Sequence, residues 1–578
     1  MILLLLLATV VALSPVLFAD FIRLDDYSHL FENPQLRRMS VSGLATLWTK
    51  SYFNLYIPIT YSVWWALAMI GSLFGELRHN AWLFHTFNLA VHLANVTIVF
   101  LLVRRLVRVA GQDTTSDGDA LDGRIALIAA LVFALHPLQV ESVAWVSELK
   151  GELAALFGLL GLWWHYRSSK RLLVAVFFVA AMLSKPSAIV FPGIVLLIDR
   201  IALRRKLAES ALAPALYAAP LLILVFVTKH LQPDSDQGFI PTGTQRLTVA
   251  ADAISFYVSK ALVPFPLAVD YGRTPQVVLD HGSRWWRACS AVLSIAGIAV
   301  VGKALIRPGS PASAQRWRSL VCCGWAIFVV SIAPVLGLIS FGFQEFSTVA
   351  DHYLYVPMLG LSVMVAGILV RLRAAANARR VAAAALVVCA ALSIHQAWLW
   401  RSTEPLFANT LRVNPNSYLG SFCIGDELMR SGRLDEAIAW LERSHAIKPD
   451  YLSTVLTLGM AFTQKREADR AIELYGAVLA TNPSIAGTRA KPVASLHNNL
   501  GMLLLQSGRK EAGVGHLRKA VEIFPRSLNA HLNLGNVALD EQRYPDAVAE
   551  YQTALSLSPG DPGIVQRLEL ARQRARQP

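Results

Sequence analysis

Charged side chains are scarce in this sequence. They make up 16% of its 578 residues, whereas 54% are hydrophobic and the mean hydropathy is +0.46. Soluble globular domains carry about a quarter charged residues, so the composition excludes a chain that is soluble throughout. The formal net charge of +14 comes from short Lys and Arg clusters between apolar segments, and no RNP, zinc-finger or helix-turn-helix pattern accompanies them. We therefore predict that this charge sets membrane topology and that no nucleic acid is bound.

Cysteine is nearly absent as well. Only Cys423 lies in the charged C-terminal part, and the other four lie in apolar segments, at Cys289, Cys322, Cys323 and Cys389. The five form no paired framework and no C-x-x-C motif. We expect the four thiols in apolar segments to behave as small buried hydrophobic groups.

Long apolar runs, by contrast, are frequent before residue 400. A spanning helix needs about 20 apolar residues. About eleven segments approach this length, near 2–19, 82–103, 124–144, 149–166, 171–184, 187–202, 210–229, 287–306, 319–340, 352–371 and 380–399. We interpret the first as a retained membrane helix rather than a signal peptide, because it lacks a basic start and a suitable cleavage site.

Basic residues gather at alternate ends of these segments. With the N-terminus inside, all the clusters face the cytoplasm. They are Arg104/Arg105/Arg108, Arg167/Lys170/Arg171, Arg200/Arg204/Arg205/Lys206, Lys303/Arg307/Arg316/Arg318 and Arg371/Arg373/Arg379/Arg380. The outer side then holds the loops 20–81 and 230–286 together with the C-terminal domain, so we expect extracytoplasmic chemistry in a multi-pass inner-membrane protein. Within the second loop, the apolar stretch 247–271 carries Asp252 and Lys260, which favours an interfacial or re-entrant helix over a span.

The C-terminal part, from residue 402 to 578, repeats itself. Prolines at 415, 449, 483, 525 and 559 and glycines at 425, 459, 501 and 535 recur with a 34-residue step that is once lengthened to 42. This period and its small-residue positions indicate tetratricopeptide repeats (TPRs), near 416–449, 450–483, 492–525 and 526–559, with an insertion near 484–491. We predict an all-α chain: a membrane domain over 1–401, then an α-solenoid whose concave face binds an acceptor or a partner.

Two adjacent carboxylates, Asp25 and Asp26, follow directly on the first apolar run. Ionisable groups beside the bilayer are costly and tend to be functional. Such a carboxylate can act as a general base towards a hydroxyl group or hold a divalent ion. The alternatives are an N-cap for a helix over Tyr27 to Phe31 and ordinary charge of the outer loop. Metal dependence is left open by the sequence.

Polar residues also occur within the predicted apolar helices. His85, Asn88 and His92 share one face of the second helix, and we expect His92 to make an interhelical hydrogen bond and the other two to line a cavity. Their spacing differs from the i, i+4 spacing of a helical zinc site. Pro137, after His136, is expected to bend the third helix. Glu141 follows among apolar residues, as a second catalytic carboxylate or as a structural partner for a lysine, Lys150 or Lys185.

Several short motifs follow one another along the chain. They are Asp25-Asp26, Asn33-Pro34, Tyr56-Ile-Pro58-Ile-Thr60, His85-x-x-Asn88-x-x-x-His92, His136-Pro-Leu-Gln-Val-Glu141, Leu183-Ser-Lys185-Pro-Ser, Asp351-His352-Tyr353-Leu-Tyr355-Val-Pro357 and the TPRs. Together they resemble the transmembrane-and-TPR O-mannosyltransferase-like proteins, a group of GT-C glycosyltransferases. The resemblance covers nearly the whole chain, in order. The family usually has an acid and an Arg where this chain has Asp351-His352, and often Glu where this chain has Pro186.

The resemblance implies a membrane transferase that moves a sugar from a polyprenyl-phosphate to an acceptor hydroxyl on the outer face. The lipid tail of such a donor needs an opening into the bilayer, and its phosphate needs cations such as Lys185, Arg246 or His352. Asp25 or Asp26 would supply the base. Donor binding is also expected of Tyr353, His85, Asn88 and His136, although Tyr353 could equally belong to an interfacial aromatic belt.

Two other functions remain open from sequence. The strength of the repeats is also typical of a non-catalytic, membrane-anchored TPR assembly factor. An oligosaccharyl transferase resembling the O-antigen ligases would share the topology and differ in its donor, an oligosaccharyl diphosphate.

Overall fold

The computed structural model of this chain is built from helices. Among its described residues the sole β-type pairing is an isolated bridge between Tyr52 and Leu55, so the all-α prediction is confirmed. The chain forms two compact units, Met1–Pro415 and Asn416–Pro578. The structure describes residues 1–77, 80–110, 116–168, 170–231, 241–281, 316–339, 342–372, 376–481 and 490–576, with positions 239, 286, 290, 292, 294–297, 299 and 302.

The first unit contains seventeen described α-helices. We number them in chain order: α1 Ile2–Leu13, α2 Pro34–Arg38, α3 Val41–Thr49, α4 Pro58–Gly71, α5 Ala81–Ala110, α6 Ser116–Leu135, α7 Val140–Ala144, α8 Leu149–Arg167, α9 Arg171–Ser184, α10 Phe191–Leu197, α11 Leu207–Leu231, α12 Gly243–Leu262, α13 Pro275–His281, α14 Arg316–Ile332, α15 Pro357–Arg371, α16 Ala376–Leu399 and α17 Thr403–Val413. Short 3-10 or π turns continue several of them.

Four helices are long and apolar enough to cross a membrane, within the part of the chain that the structure describes. They lie at Ala81–Val109, Leu207–Leu231, Trp317–Val335 and Arg380–Leu399. A bent pair, Gly118–Leu135 with Pro137–Ala144, makes a fifth if it counts as one span. Further apolar helices are shorter, and most of the predicted span 287–306 lies outside the described residues. The count of about eleven spans therefore stays a prediction.

The break in the bent pair is at His136–Pro137, and the helix axis turns by 50° there. Proline lacks an N–H group and cannot continue the hydrogen-bond ladder, so the predicted bend is confirmed. His136 supports the break: its Nδ1 accepts from the N–H of Leu138 and its Nε2 lies 3.2 Å from the carbonyl of Ala261. A second break follows at Trp145, before the 3-10 turn Val146–Glu148.

Buried amides and rings satisfy the polar groups exposed by these breaks. Asn88 on α5 donates to the carbonyls of Val143 and Trp145, at 3.4 and 3.3 Å. His92 lies 2.8 Å from the hydroxyl of Tyr355, which confirms its predicted interhelical hydrogen bond. Such pairing is needed because an unpaired polar group is costly in an apolar interior.

The segment after α1 is anchored by residues far away in the chain. The N–H of Asp20 donates to the carbonyl of Arg401 at 2.9 Å, and the N–H of Arg23 donates to Thr403 Oγ1 at 3.2 Å. These contacts lie within the first unit and hold the segment that leads to Asp25 and Asp26.

The second unit consists of helix pairs. Its helices are α18 Tyr418–Arg430, α19 Leu434–Ile447, α20 Leu452–Gln464, α21 Ala468–Thr481, α22 Ala490–Gln506, α23 Lys510–Ile523, α24 Leu528–Asp540, α25 Tyr544–Leu557 and α26 Pro562–Ala575. Pro449, Pro525 and Pro559 each follow the second helix of a pair, and Pro415 follows α17, whereas Pro483 lies outside the described residues. Most of the predicted insertion at 484–491 lies outside them too.

The repeat glycines mark close helix contacts. A Cβ atom placed on Gly459 would lie 2.2 Å from the ring of Tyr475, whereas one on Gly476 would meet nothing within 4 Å. Overpacking typically costs about 1–3 kcal/mol. We therefore expect Gly459→Ala to lower the thermal stability of the second unit. Gly476→Ala, the matched control, should raise it slightly through helix propensity. Calorimetry of both variants in the full chain measures the difference, and equal transitions would contradict the packing argument.

Candidate functional site

Glu148 is the centre of a buried charged group. It ends the 3-10 turn before α8 and its side chain is 1% exposed. One carboxylate oxygen lies 2.7 Å from Lys185 Nζ and the other lies 3.0 Å from Lys150 Nζ. Although burial opposes ionisation, the two ammonium groups outweigh it and hold the pKa of Glu148 below its usual range. The turn between α9 and the next 3-10 segment thus places Lys185 against α8.

Asp26 is held in the same region by hydrogen bonds. Its Oδ1 accepts from the backbone N–H and the hydroxyl of Ser147, at 2.9 and 2.5 Å, and its Oδ2 accepts from the N–H of Ile22 at 3.1 Å. The side chain is fully buried. Asp26 occupies the N-cap position of the helical turn that begins at Tyr27, but its side chain makes no capping hydrogen bond there. Burial raises its pKa to about 6.

Asp25 is the more accessible of the two carboxylates, being half-buried. Burial raises its pKa, while the nearby charge of Lys150 opposes that rise. The adjacent residues therefore have different environments. Asp26 joins two chain segments through its hydrogen bonds to Ile22 and Ser147. Asp25 lies near the charged group and does not take part in those hydrogen bonds.

A second cluster adjoins the first. Glu141 and His352 Nδ1 are in direct hydrogen-bond contact, and His352 Nε2 lies 3.8 Å from Glu148. Glu141 was expected to pair with Lys150 or Lys185 if it were structural. That alternative is wrong: Glu148 takes both lysines because it ends the turn that faces them.

Asp351 precedes His352 and accepts hydrogen bonds from the hydroxyl of Tyr271 at 2.8 and 3.1 Å. Burial raises the pKa of Asp351 to about 7. Tyr353 follows, and Lys185 Nζ lies 5.7 Å from the centre of its ring, within the range of a cation–π contact. A narrow cleft opens between Lys185, His352, Tyr353 and the 3-10 segment Pro186–Val190.

Several predicted site residues are engaged elsewhere. Arg246, in the first turn of α12, donates to the carbonyls of Pro241 and Leu338. His136 and Asn88 support the helix breaks described above. His85 is fully buried on α5. The structure thus brings together Asp25, Asp26, Glu141, Lys185, His352 and Tyr353 from the predicted set.

Glu148 and Ser147 were not predicted as members of this group, and Lys150 was predicted only as a possible partner of Glu141. The spacing Glu148-x-Lys150 beside a predicted helix break was a usable signal, because both side chains emerge at one helix end. Tyr271 carried no such signal. Among the described residues, no three His, Cys, Asp or Glu side chains are gathered as a metal site.

The chain is similar to curated O-mannosyl-transferases along most of its length. Protein O-mannosyl-transferase TMTC3 from Mus musculus is 23% identical over 94% of this chain and 58% of its own length, and the Homo sapiens protein is 22% identical over 94% and 59%. The resemblance seen in the motifs is thereby confirmed. The chain spans about three-fifths of the length of these curated relatives.

The repeats are also matched. The tetratricopeptide repeat family model matches residues 456–527 and 498–562, which confirms the predicted repeat type. A solved structure of MamA is 22% identical over 27% of this chain and 82% of its own, with a TM-score of 0.24.

Proposed function

We propose that this chain, a TPR-bearing membrane protein resembling the O-mannosyltransferases along 94% of its length, transfers a sugar from a polyprenyl-phosphate to a hydroxyl group of a protein or glycan. The observation that carries the proposal is the position of Asp25 beside the Lys150–Glu148–Lys185 group. A general base can accept the proton of the acceptor hydroxyl, and the cations can stabilise the charge of the departing phosphate.

The proposed step is a single displacement at the anomeric carbon. The acceptor oxygen forms the new bond to that carbon, and the bond from the carbon to the phosphate oxygen breaks. The phosphate leaves with the electron pair, and its charge is stabilised by Lys185. The hydroxyl proton passes to the carboxylate of Asp25, and the sugar configuration inverts.

The surrounding residues support this step in three ways. Asp26 fixes the backbone beside Asp25 through Ser147 and Ile22. Glu148 holds two lysines side by side without neutralising both. Tyr353 and the adjacent cleft offer an aromatic face for a sugar ring. We further propose about eleven spans, an extracytoplasmic site and acceptor binding by the TPR unit.

The function is tested by transfer with the purified chain in liposomes. Radiolabelled polyprenyl-phosphate mannose and glucose are offered with a membrane-depleted lysate as acceptor, and the expected result is label in macromolecules. Label obtained only from an oligosaccharyl diphosphate would replace the proposal with the oligosaccharyl transferase. The chain is an assembly factor if no donor gives label and if the TPR unit, tethered to the membrane by an unrelated helix, restores the function that is lost in cells without the full-length chain.

A further inference from the structure

A second charged region lies at the other end of α8 and α9. Helix α8 has Lys150 in its first turn and His165 and Arg167 in its last turn. Its 19 residues span about 28 Å at 1.5 Å per residue. That length is close to the thickness of the hydrocarbon core of a bilayer. This region is therefore separate from the candidate active site, at the far end of α8.

Three segments meet in this region, and their described residues are 165–168 with 170–171, 198–209 and 317–319. His165 Nδ1 lies 3.0 Å from the hydroxyl of Tyr217 on α11, and its Nε2 lies 3.7 Å from Asp199. Arg205 pairs with Asp199 at 3.1 Å, and Arg204 donates to the hydroxyl of Ser319 at 2.7 Å. These contacts hold the ends of α8, α11 and α14 against one another. We call the assembly the basic end.

The charge of the basic end is unbalanced. Its three described segments contain eight Lys and Arg side chains and only two carboxylates, Asp199 and Glu209. Asp199 is buried and engaged, so it offers little neutralisation to the surface. The exposed cations are Arg167, Lys170, Arg171, Arg205, Lys206 and Arg318.

Exposed apolar surface begins immediately beside these cations. Leu172 follows Arg171 and is 80% exposed, and Leu207 follows Lys206 and is 60% exposed. The outward face of α11 continues with Leu212, Leu216, Ile223 and Phe226. Arg167 lies over the ring of Trp163 and Arg318 lies over Trp317, which places aromatic rings at the level of the charges. Trp is enriched where a membrane meets water.

We infer that the basic end binds the headgroup of an anionic phospholipid, whose acyl chains lie along α11 and the start of α9. The ligand must carry a negative charge and an apolar tail, because the site presents cations and a lipid-facing surface within one or two residues of each other. A soluble anion would contact only the cations and would leave the apolar surface uncovered. Basic sites between membrane helices recognise lipid headgroups in this way. The inference does not rest on the proposed transferase activity.

The test is lipid retention by the purified full-length chain in a neutral detergent, measured by native mass spectrometry. Phosphatidylglycerol and phosphatidylcholine of equal chain length are titrated separately, with inorganic phosphate as a third arm. We expect phosphatidylglycerol to be retained in preference to phosphatidylcholine. The variant Arg167→Gln/Arg171→Gln should weaken its binding about fivefold for each charge removed.

The control is Arg105→Gln/Arg108→Gln, which removes the same charge from the end of α5. It should leave phosphatidylglycerol binding unchanged. Equal losses in both variants would show a general effect of net charge and overturn the site, as would equal retention of the two lipids by the wild type. Displacement by millimolar inorganic phosphate would overturn the lipid assignment. If the unfolding temperature without lipid shows that the double variant does not fold, phosphatidylglycerol binding by Arg171→Gln alone is compared with that of the wild type.

Discussion

Asp25→Asn is expected to reduce sugar transfer by about 10²–10⁴-fold, the usual contribution of a positioned general base. The amide cannot accept the hydroxyl proton, while its shape is nearly that of the carboxylate. Because Asp25 is half-buried and lies outside the Ser147–Ile22 hydrogen bonds, the unfolding temperature should change little. Initial rates in liposomes, together with thermal unfolding of the same preparations, measure both effects.

Two matched variants make this result specific. Glu32→Gln removes an exposed carboxylate from the same loop and should transfer sugar at the wild-type rate. Asp26→Ala should instead lower the stability, because it leaves the buried N–H groups of Ile22 and Ser147 without their acceptor, at about 1–3 kcal/mol each. Wild-type rates from Asp25→Asn would exclude Asp25 as the base.

The same residue sets the expected pH dependence. The base must be ionised to act, and burial raises the pKa of Asp25. Transfer should therefore decline on acidification, with a midpoint above the ordinary aspartate pKa of about 4. The residual transfer rate of Asp25→Asn should not show this decline at acidic pH.

Glu148→Gln is expected to have the largest effect on stability. The substitution leaves Lys150 and Lys185 buried without their shared carboxylate, and breaking a buried pair costs about 3–5 kcal/mol. Transfer should fall as well, since the two lysines would lose their fixed positions. Denaturant unfolding of the membrane unit, followed by its own tryptophans, measures the loss.

The control for this variant is Glu436→Gln in the second unit. Glu436 and Arg433 are also 2.7 Å apart, but both side chains are about half exposed. An exposed pair contributes about 0–1 kcal/mol. Adding Lys150→Met to Glu148→Gln should recover part of the lost stability by removing one unpaired charge. Similar losses from Glu148→Gln and Glu436→Gln would show that burial does not govern the Glu148 group.

Local patterns of the sequence predicted much of this architecture. The 34-residue period fixed the helix pairs of the second unit, and Pro137 predicted the bend, because both signals act over a few neighbouring residues. His92 could be assigned to an interhelical bond because a polar ring on an apolar helix must find a partner.

The arrangement of the candidate site was harder to predict, for a physical reason. Glu141 and Glu148 look alike in the sequence, and only the direction of the turn at Trp145 decides which one meets the lysines. Asp25 and Asp26 differ because Ile22 and Ser147, the latter 121 residues away, donate hydrogen bonds to Asp26. Arg246 seemed suited to a phosphate, yet two backbone carbonyls of its own surroundings engage it.

The anchoring of the segment around Asp20 and Arg23 also bears on how the protein is made. The N–H of Arg23 donates a hydrogen bond to Thr403, which is synthesised 380 residues later in the chain. At about 5–20 residues per second, a ribosome needs roughly 20 to 80 seconds to supply that partner. The backbone that leads to the carboxylate pair is thus anchored only near the end of synthesis of the first unit, whereas Ser147, which binds Asp26, is made much earlier. The last native contacts of this segment to form are therefore those of the Asp20 and Arg23 N–H groups with Arg401 and Thr403.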